Sequence, residues 1–161
     1  HGNFDIVIMG SPYRKRMTNK ISQFLDTSIF FVKNFNPNWN YKILLCVDDS
    51  RATKRAVILS TRISKQFDAE IISLTVSKTS FFGKGYRNAH TWAERYLKRV
   101  GIPFESKLLS GNPVDVFVDE AGEDHIIIMG KAKGNEILKF IFGSKPIHTA
   151  QRSNCPVLMV N

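Results

Sequence analysis

Apolar runs alternate with amphipathic segments along the chain from Tyr41 onward. The runs that suit β-strands cover residues 42–47, 70–76, 103–109, 125–129 and 157–160. Between the first four of these runs, apolar residues recur at steps of three and four, which predicts helices. Strands that alternate with helices are typical of a parallel sheet wound with crossover helices. The pattern therefore predicts an α/β fold, with a five-stranded parallel sheet and helices on both faces.

The ends of the predicted helices carry recognisable capping residues. Asp48, Asp49 and Ser50 precede the first helix, and Asn112 with Pro113 begins the third. Gly101 supplies a left-handed cap after the second helix. The buried stripes are predicted as Ala56, Leu59, Ile63 and Phe67 in the first helix, as Ala89, Ala93, Tyr96, Leu97 and Val100 in the second, and as Val114, Phe117, Val118 and Ala121 in the third.

The segment that follows the fourth predicted strand has the features of a phosphate-binding loop. The strand IIIM ends at Gly130, and a second glycine, Gly143, directly precedes Ser144, a candidate N-cap for a helix through residues 148–152. Free N–H groups at a helix start attract anions, and glycine lets a ligand approach the backbone closely. Lys131, Lys133 and Lys145 add positive charge. The alternative is ordinary turn chemistry between a strand and a helix.

Composition narrows the class of protein. The 161 residues are 43% hydrophobic with a net charge of +9, which suits one soluble domain with a single good core. No apolar run approaches the roughly 18 residues that span a bilayer, and we expect no signal peptide. Cys46 and Cys155 each lie in an apolar run, which predicts reduced, buried thiols and a cytoplasmic location. The positive net charge favours the binding of anionic partners. No nucleic-acid recognition motif accompanies it, so we expect no specific nucleic-acid partner.

Residues 41–161 resemble the universal stress protein family. The segment KILLCVDDS is similar to the family's first strand and turn, SGNPVDVFVDEA to its Gly-x-Pro helix start, and NCPVLMVN to its closing strand. Nucleotide-binding members carry a loop of Gly, two residues, Gly, nine residues, and Gly-Ser or Gly-Thr. Gly130, Gly143 and Ser144 fall at the matching positions, whereas Lys133 occupies the middle position and Gly134 comes one residue late.

The resemblance implies a strand order of 3-2-1-4-5, as in adenine-nucleotide α-hydrolase-like folds, and it implies binding of ATP or another adenine nucleotide. Asp48 resembles the acidic residue that contacts the nucleoside, and Val76 the adenine-side contact. The phosphate-side positions correspond to Gly130, Lys133, Gly134, Gly143, Ser144 and Lys145. Any magnesium ion would be held by phosphate oxygens, Ser144 and water, so no protein metal site is predicted. Asp49 stands where the family usually has glycine. For both Asp48 and Asp49, helix capping is the alternative to ligand contact.

The first forty residues echo the end of the chain. FDIVIMG at residues 4–10 matches DHIIIMG at residues 124–130, and IFFVKN echoes VLMVN. Residues 1–33 therefore read as the last two strands and intervening helix of a preceding copy of the domain, followed by a linker at 34–40. The alternative is an unrelated βαβ extension. Family members commonly pair through their last strands, so we expect Ile29–Val32 to lie antiparallel beside Val157–Val160, giving seven strands.

The resemblance and the residues together favour a non-catalytic regulatory or stress-response module that binds adenine nucleotides. The sequence contains no Gly-x-Ser-x-Gly elbow, GxxxxGK[ST] loop or paired metal-ligand motif, although slow ATP hydrolysis stays open. The alternative function is a ligand-free interaction or regulatory domain, such as the cytoplasmic part of a membrane transporter or sensor. Trp92 and Tyr96 lie one helical turn apart, and packing is the favoured role over ligand stacking. His90, His125 and His148 are assigned no catalytic role.

Overall fold

A computed structural model describes residues 5–10, 27–130 and 153–161 of the chain. These ranges contain seven strands: β1 (Ile6–Gly10), β2 (Ser28–Val32), β3 (Lys42–Cys46), β4 (Ile71–Ser77), β5 (Phe104–Ser110), β6 (His125–Gly130) and β7 (Val157–Val160). They also contain three helices: α1 (Arg51–Phe67), α2 (Lys84–Arg99) and α3 (Pro113–Ala121). The predicted strands and helices within these ranges are all present, with ends that differ by one or two residues.

The strands form one sheet in the order β1-β2-β7-β6-β3-β4-β5. Strands β3 to β7 are mutually parallel where they pair. Counted from β3 as the first strand of the domain, their order is 3-2-1-4-5, so the predicted fold class is confirmed. Strand β1 lies parallel to β2 at the far side of the sheet.

Strand β2 joins the two parts of the sheet. It runs antiparallel to β7, with Ile29 opposite Met159 and Phe31 opposite Val157. The predicted pairing of these two segments is therefore confirmed within one chain. Because β2 covers the outer edge of β7, the edge through which the family resemblance predicts association is already occupied.

Each face of the sheet packs its own apolar layer. On one face, Leu44, Val76 and Met129 from the strands pack with Val114 and Ala121 of α3. On the other face, strand residues such as Ile43 and Ile128 pack with α1 and α2, which contribute buried Ala56, Val57, Ala93 and Leu97. Helices thus lie on both faces, and β3, β4 and β6 are buried on both sides, as expected for central parallel strands.

The buried face of α1 differs from the predicted stripe. Ala56 is buried, but Leu59 and Ile63 are only half-buried, and Phe67 is 73% exposed. The helix instead faces the sheet with small residues, namely Ala52, Thr53, Ala56, Val57, Ser60, Thr61 and Ser64. These side chains let the helix axis approach the strands closely, whereas larger apolar residues lie at the margin of the contact. Two of the buried hydroxyls bond to nearby carbonyls, Thr61 to Ile58 and Ser64 to Ala69, both at 2.7 Å, whereas the Ser60 hydroxyl has no partner among the described residues.

The predicted caps at the end of α2 and at the start of α3 are confirmed. Gly101 has φ +70° directly after α2, and the Asn112 side chain accepts a hydrogen bond from the Val114 N–H at 3.1 Å. The stripe of α3 is buried at Val114 and Ala121 and half-buried between them. The connections predicted as a helix between β1 and β2, and as the phosphate loop and helix between β6 and β7, lie outside the described residues.

Candidate functional site

Three of the predicted site residues lie together at the carboxyl ends of neighbouring strands. Strands β4 and β6 flank β3 and run parallel to it, so their carboxyl ends share one edge of the sheet. The chain leaves β3 toward β4 but returns to β6 on the other side, which makes this edge a topological switch point. In open α/β sheets, ligands bind in the crevice outside such a point. The residues at this edge are Asp48 after β3, Val76 near the end of β4 and Gly130 at the end of β6.

Asp48 holds the turn from β3 into α1. Its Oδ1 atom accepts hydrogen bonds from the Ser50 N–H, at 3.0 Å, and from the Thr53 hydroxyl. Ser50 is the N-cap residue itself, accepting from the Thr53 N–H at 3.3 Å. Ser50 therefore caps the helix, and Asp48 supports that cap through the turn that precedes it. Within the part of the chain that the structure describes, Oδ2 of this half-buried residue forms no hydrogen bond, so the turn uses only one of the two carboxylate oxygens.

Val76 lies level with Asp48 on the neighbouring strand, since Cys46 is the register partner of Leu74. Its side chain is only 4% exposed and belongs to the core on the α3 face. Contact between this residue and a ligand would therefore involve its main chain and little of its side chain. The position of Val76 at the predicted edge agrees with the sequence interpretation, but its isopropyl group serves the core.

Gly130 ends β6 against the first turn of α1. A Cβ atom at this position would lie 2.6 Å from both the Ala52 carbonyl carbon and the Thr53 nitrogen. The glycine is therefore required by packing between β6 and α1, a role that the sequence did not reveal. The same contact places the start of the connection after β6 beside the N-terminal turn of α1. Lys133, Gly134, Gly143, Ser144 and Lys145, the remaining predicted phosphate-side residues, lie outside the described ranges.

Asp49 has a structural partner that explains its presence. A Cβ on Gly85 would come within 2.8 Å of the Asp49 Oδ2 atom, so this carboxylate lies against the first turn of α2. Helix α2 has Gly83 as N-cap with no side-chain capping bond, and no acidic residue in its first turn. Asp49 therefore supplies negative charge where the helix dipole favours it.

A cleft between the starts of α1 and α2 adjoins the Asp48 turn. Its volume is 350 Å³, and its walls include Asp48, Lys54, Asn88 and Trp92. The Lys54 Nζ atom lies 5.4 Å from the Trp92 ring centroid, and Trp92 stacks on Tyr96 at 5.5 Å. The contact between Trp92 and Tyr96 agrees with the predicted packing role. The cleft could not be predicted from the sequence, because Lys54 and Asn88 come from two helices that only the fold brings together.

Cys46, Cys155 and His90 are titratable residues that lie buried in the fold. Burial raises the pKa of the Cys46 thiol well above its usual value, and burial also raises the pKa of Cys155. Both cysteines are free and buried, as predicted.

His90 is buried between two hydroxyl groups. Its Nδ1 atom lies 3.0 Å from Thr75 Oγ1, and its Nε2 atom lies 3.1 Å from Ser106 Oγ. Both ring nitrogens thus have hydroxyl partners, which favours a structural role for this histidine.

The described ranges contain neither a metal-binding cluster nor a membrane-spanning helix. Among residues 5–10, 27–130 and 153–161, no group of three or more His, Cys, Asp or Glu side chains is arranged to hold a metal ion. No helix in the same ranges is long and apolar enough to cross a membrane.

Comparisons with known proteins give consistent results. The model of the universal stress protein family matches residues 40–161. A universal stress protein of Methanocaldococcus jannaschii is 25% identical over 138 residues, covering 74% of this chain and 81% of the relative. A universal stress protein structure from Archaeoglobus fulgidus matches 99% of this chain with a TM-score of 0.75 at 19% identity. This chain spans only 61% of that longer one.

Two further solved structures contain nucleotides. A universal stress protein in complex with cAMP matches 75% of this chain and 97% of its own, with a TM-score of 0.56 at 22% identity. A family protein from Arabidopsis thaliana with AMP bound matches 74% of this chain and 90% of its own, with a TM-score of 0.51 at 16% identity. At these identities the structures show a shared fold. The family model, however, covers most of the chain, and the chain therefore belongs to the universal stress protein family.

Proposed function

We propose that residues 41–161 form a regulatory module that binds an adenine nucleotide, with ATP as the leading candidate. The observation that carries this proposal is the meeting of Asp48, Val76 and Gly130 at the switch point, beside the N-terminal turn of α1. Solved family members with AMP or cAMP bound support an adenine nucleotide as the ligand.

The second carboxylate oxygen of Asp48 is suited to the nucleoside. Ribose hydroxyl groups are hydrogen-bond donors, and an ionised carboxylate accepts from them more strongly than a neutral acceptor. Because Oδ1 is fixed by Ser50 and Thr53, the direction of the carboxylate is set before a ligand arrives. A preorganised acceptor loses little conformational entropy on binding.

The phosphates would extend toward the connection that follows Gly130. Its sequence supplies Gly143 and Ser144, with Lys133 and Lys145 as cations and Gly134 beside the altered central position. The net charge of +9 also favours an anionic ligand. Magnesium, where present, would be held by phosphate oxygens, Ser144 and water, since hard oxygen ligands suit this ion.

The module is proposed to act through conformation, without chemical turnover. His90 uses both ring nitrogens in hydrogen bonds to Thr75 and Ser106, and one oxygen of Asp48 is committed to the turn before α1. A ligand shifts a conformational balance only when it binds one state better than another. We propose that nucleotide favours one conformation of the connection after Gly130, and that a partner in the cytoplasm recognises it. The two free, buried thiols agree with a reducing compartment.

Calorimetric titration with ATP, with and without magnesium, tests the site. Asp48→Asn keeps a side-chain oxygen for the capping turn but removes the charge offered to the ribose. A charge-assisted hydrogen bond contributes about 1.5–3 kcal/mol, so we expect Kd to rise roughly 10- to 100-fold. Asp49→Asn is the matched control, because it makes the same charge change at a carboxylate that faces α2. It should leave Kd within about threefold of wild type.

The outcomes separate the two candidate functions. Equal losses in the two variants would mean that general charge, and not the Asp48 contact, governs binding. Absence of binding in the wild type would contradict the nucleotide proposal. It would favour a ligand-free interaction or regulatory domain, such as the cytoplasmic part of a membrane transporter or sensor.

A further inference from the structure

The two ends of the chain form equivalent strand pairs. In β6 and β7, Ile127 lies opposite Val157 and Gly130 opposite Val160. In β1 and β2, Val7 lies opposite Ile29 and Gly10 opposite Val32. These positions are the ones that the sequence echo aligns, at offsets of 120 and 128 residues. The two pairs therefore share their sequence pattern, their parallel direction and their register.

A pseudo-twofold axis relates the two strand pairs. Strands β2 and β7 meet antiparallel, and the central pair of their contact is Phe30 with Leu158. Phe30 and Leu158 are also equivalent positions of the echo. The axis consequently passes through this residue pair, perpendicular to the sheet, as expected where two identical strands meet. An unrelated extension has no reason to place equivalent residues opposite each other.

The equivalent surfaces differ in what covers them. Ile128 is fully buried with Ala56 and Val57 of α1, but its counterpart Ile8 is 69% exposed. A Cβ on Gly130 would strike the start of α1, whereas a Cβ on Gly10 meets nothing within 4 Å. Strand β6 pairs with β3 along its outer edge, while β1 is the edge strand of the described sheet.

We infer that the outer edge of β1 and the α1-side face around Ile8 bind a strand and helix equivalent to β3 and α1. The occupant is a preceding universal stress unit of the same polypeptide, of which β1 and β2 are the last two strands. Its strand would extend the sheet in parallel, and its helix would cover Ile8 with small residues, as Ala56 covers Ile128. An open, apolar strand edge is one that proteins usually cover.

The size of a structural neighbour agrees with this arrangement. The Archaeoglobus fulgidus universal stress protein contains a counterpart of 99% of this chain within 61% of its own length. The AMP-bound neighbour instead matches 74% of this chain over 90% of its own length. The longer neighbour thus has room for the strands and helices that β1 and β2 lack here, in one continuous chain.

Thiol labelling tests the inference. Ile8→Cys places a reactive group on the inferred interface, and Phe67→Cys is a control at a position of similar exposure, 73%, on another surface. Both are compared in the 161-residue chain and in the complete product of its gene. In the short chain the two should react at similar rates. In the complete product, Ile8→Cys should react at least tenfold more slowly, with Phe67→Cys unchanged.

Two results would overturn the inference. Equal reactivity of Ile8→Cys in the short and complete proteins would show that no preceding unit covers this face. Protection of Ile8→Cys already present in the short chain would mean that another copy of the chain covers this face.

Gly10→Ala gives an independent readout, because it should lower the melting temperature of the complete product alone. An unchanged melting temperature in both proteins would also count against a helix packed on β1.

Discussion

The close contact between Gly130 and α1 predicts that a single methyl group there is destabilising. In Gly130→Ala, the added Cβ would lie 2.6 Å from two backbone atoms of α1 and 2.9 Å from the Ala52 Cβ. Two of these three atoms belong to the backbone, so relief requires movement of the helix and not merely rotation of a side chain. The start of α1 is held in place by the Asp48 and Ser50 hydrogen bonds, which oppose that movement.

The magnitude follows from the cost of overpacking. Inserting an extra carbon into a well-packed contact typically costs about 1–3 kcal/mol. Replacing glycine with alanine also restricts the unfolded chain, which stabilises a protein by about 0.4–1 kcal/mol where the native backbone accepts alanine. Gly10→Ala provides this second effect alone, since a Cβ there meets nothing within 4 Å. The difference between the two variants isolates the clash.

Urea or thermal unfolding of the 161-residue chain measures that difference. For a domain of this size, 1 kcal/mol corresponds to roughly 2–4 °C in Tm. We expect Gly130→Ala to melt about 2–12 °C below Gly10→Ala, which should match or slightly exceed wild type. Equal melting temperatures for the two variants would refute the packing argument and leave Gly130 without a demonstrated structural role.

Three further predictions concern stability. His90→Leu should lower the free energy of unfolding by about 2–4 kcal/mol, because it leaves the Thr75 and Ser106 hydroxyls without their partner; chemical denaturation beside the exposed-site control Arg87→Leu measures this. Asn112→Ala should cost about 1 kcal/mol through loss of the α3 cap, seen as a lower urea midpoint with an unchanged slope. Because burial raises the pKa of Cys46 in the folded state, stability should be full below the pKa of the unfolded thiol, about 8.5, and fall above it by up to about 1.4 kcal/mol per pH unit. Unfolding curves at pH 7 and pH 10 should show a smaller loss in Cys46→Ala, and an equal loss in both proteins would contradict this.

Much of the fold could be predicted because it depends on local patterns. The alternation of strands and helices, the Asn112 and Gly101 caps and the internal echo are all properties of short segments. The pairing of β2 with β7 was predicted instead from the family resemblance. The predicted stripe of α1 followed apolar residues at steps of three and four, and it was wrong for Phe67, which is exposed, whereas Ala56 is buried and Leu59 and Ile63 lie at the margin of the core. The helix lies close enough to the sheet to select alanine, serine and threonine, and that closeness depends on Gly130.

The candidate site, like the fold, could be predicted only in part from the sequence. Asp48, Val76 and Gly130 lie at one edge because each is at the carboxyl end of one of three adjacent parallel strands, and the family resemblance had pointed to these residues. The position of Asp49 could not be predicted, since it depends on how α1 and α2 pack and on Gly85 giving space for the carboxylate. The cleft lined by Lys54 and Trp92 likewise needs two helices to be brought together by the sheet.

Amide hydrogen exchange with and without saturating ATP tests the central claim most directly, because it reports both binding and its place. If nucleotide binds at this edge, amide exchange should slow at residues 48–53, at 76–77, at Gly130 and through the connection that follows it. Residues 34–40 precede β3, at the opposite edge of the sheet, and should be unaffected. Protection confined to other parts of the chain, or no change at saturating ATP, would contradict a nucleotide site at the ends of β3, β4 and β6.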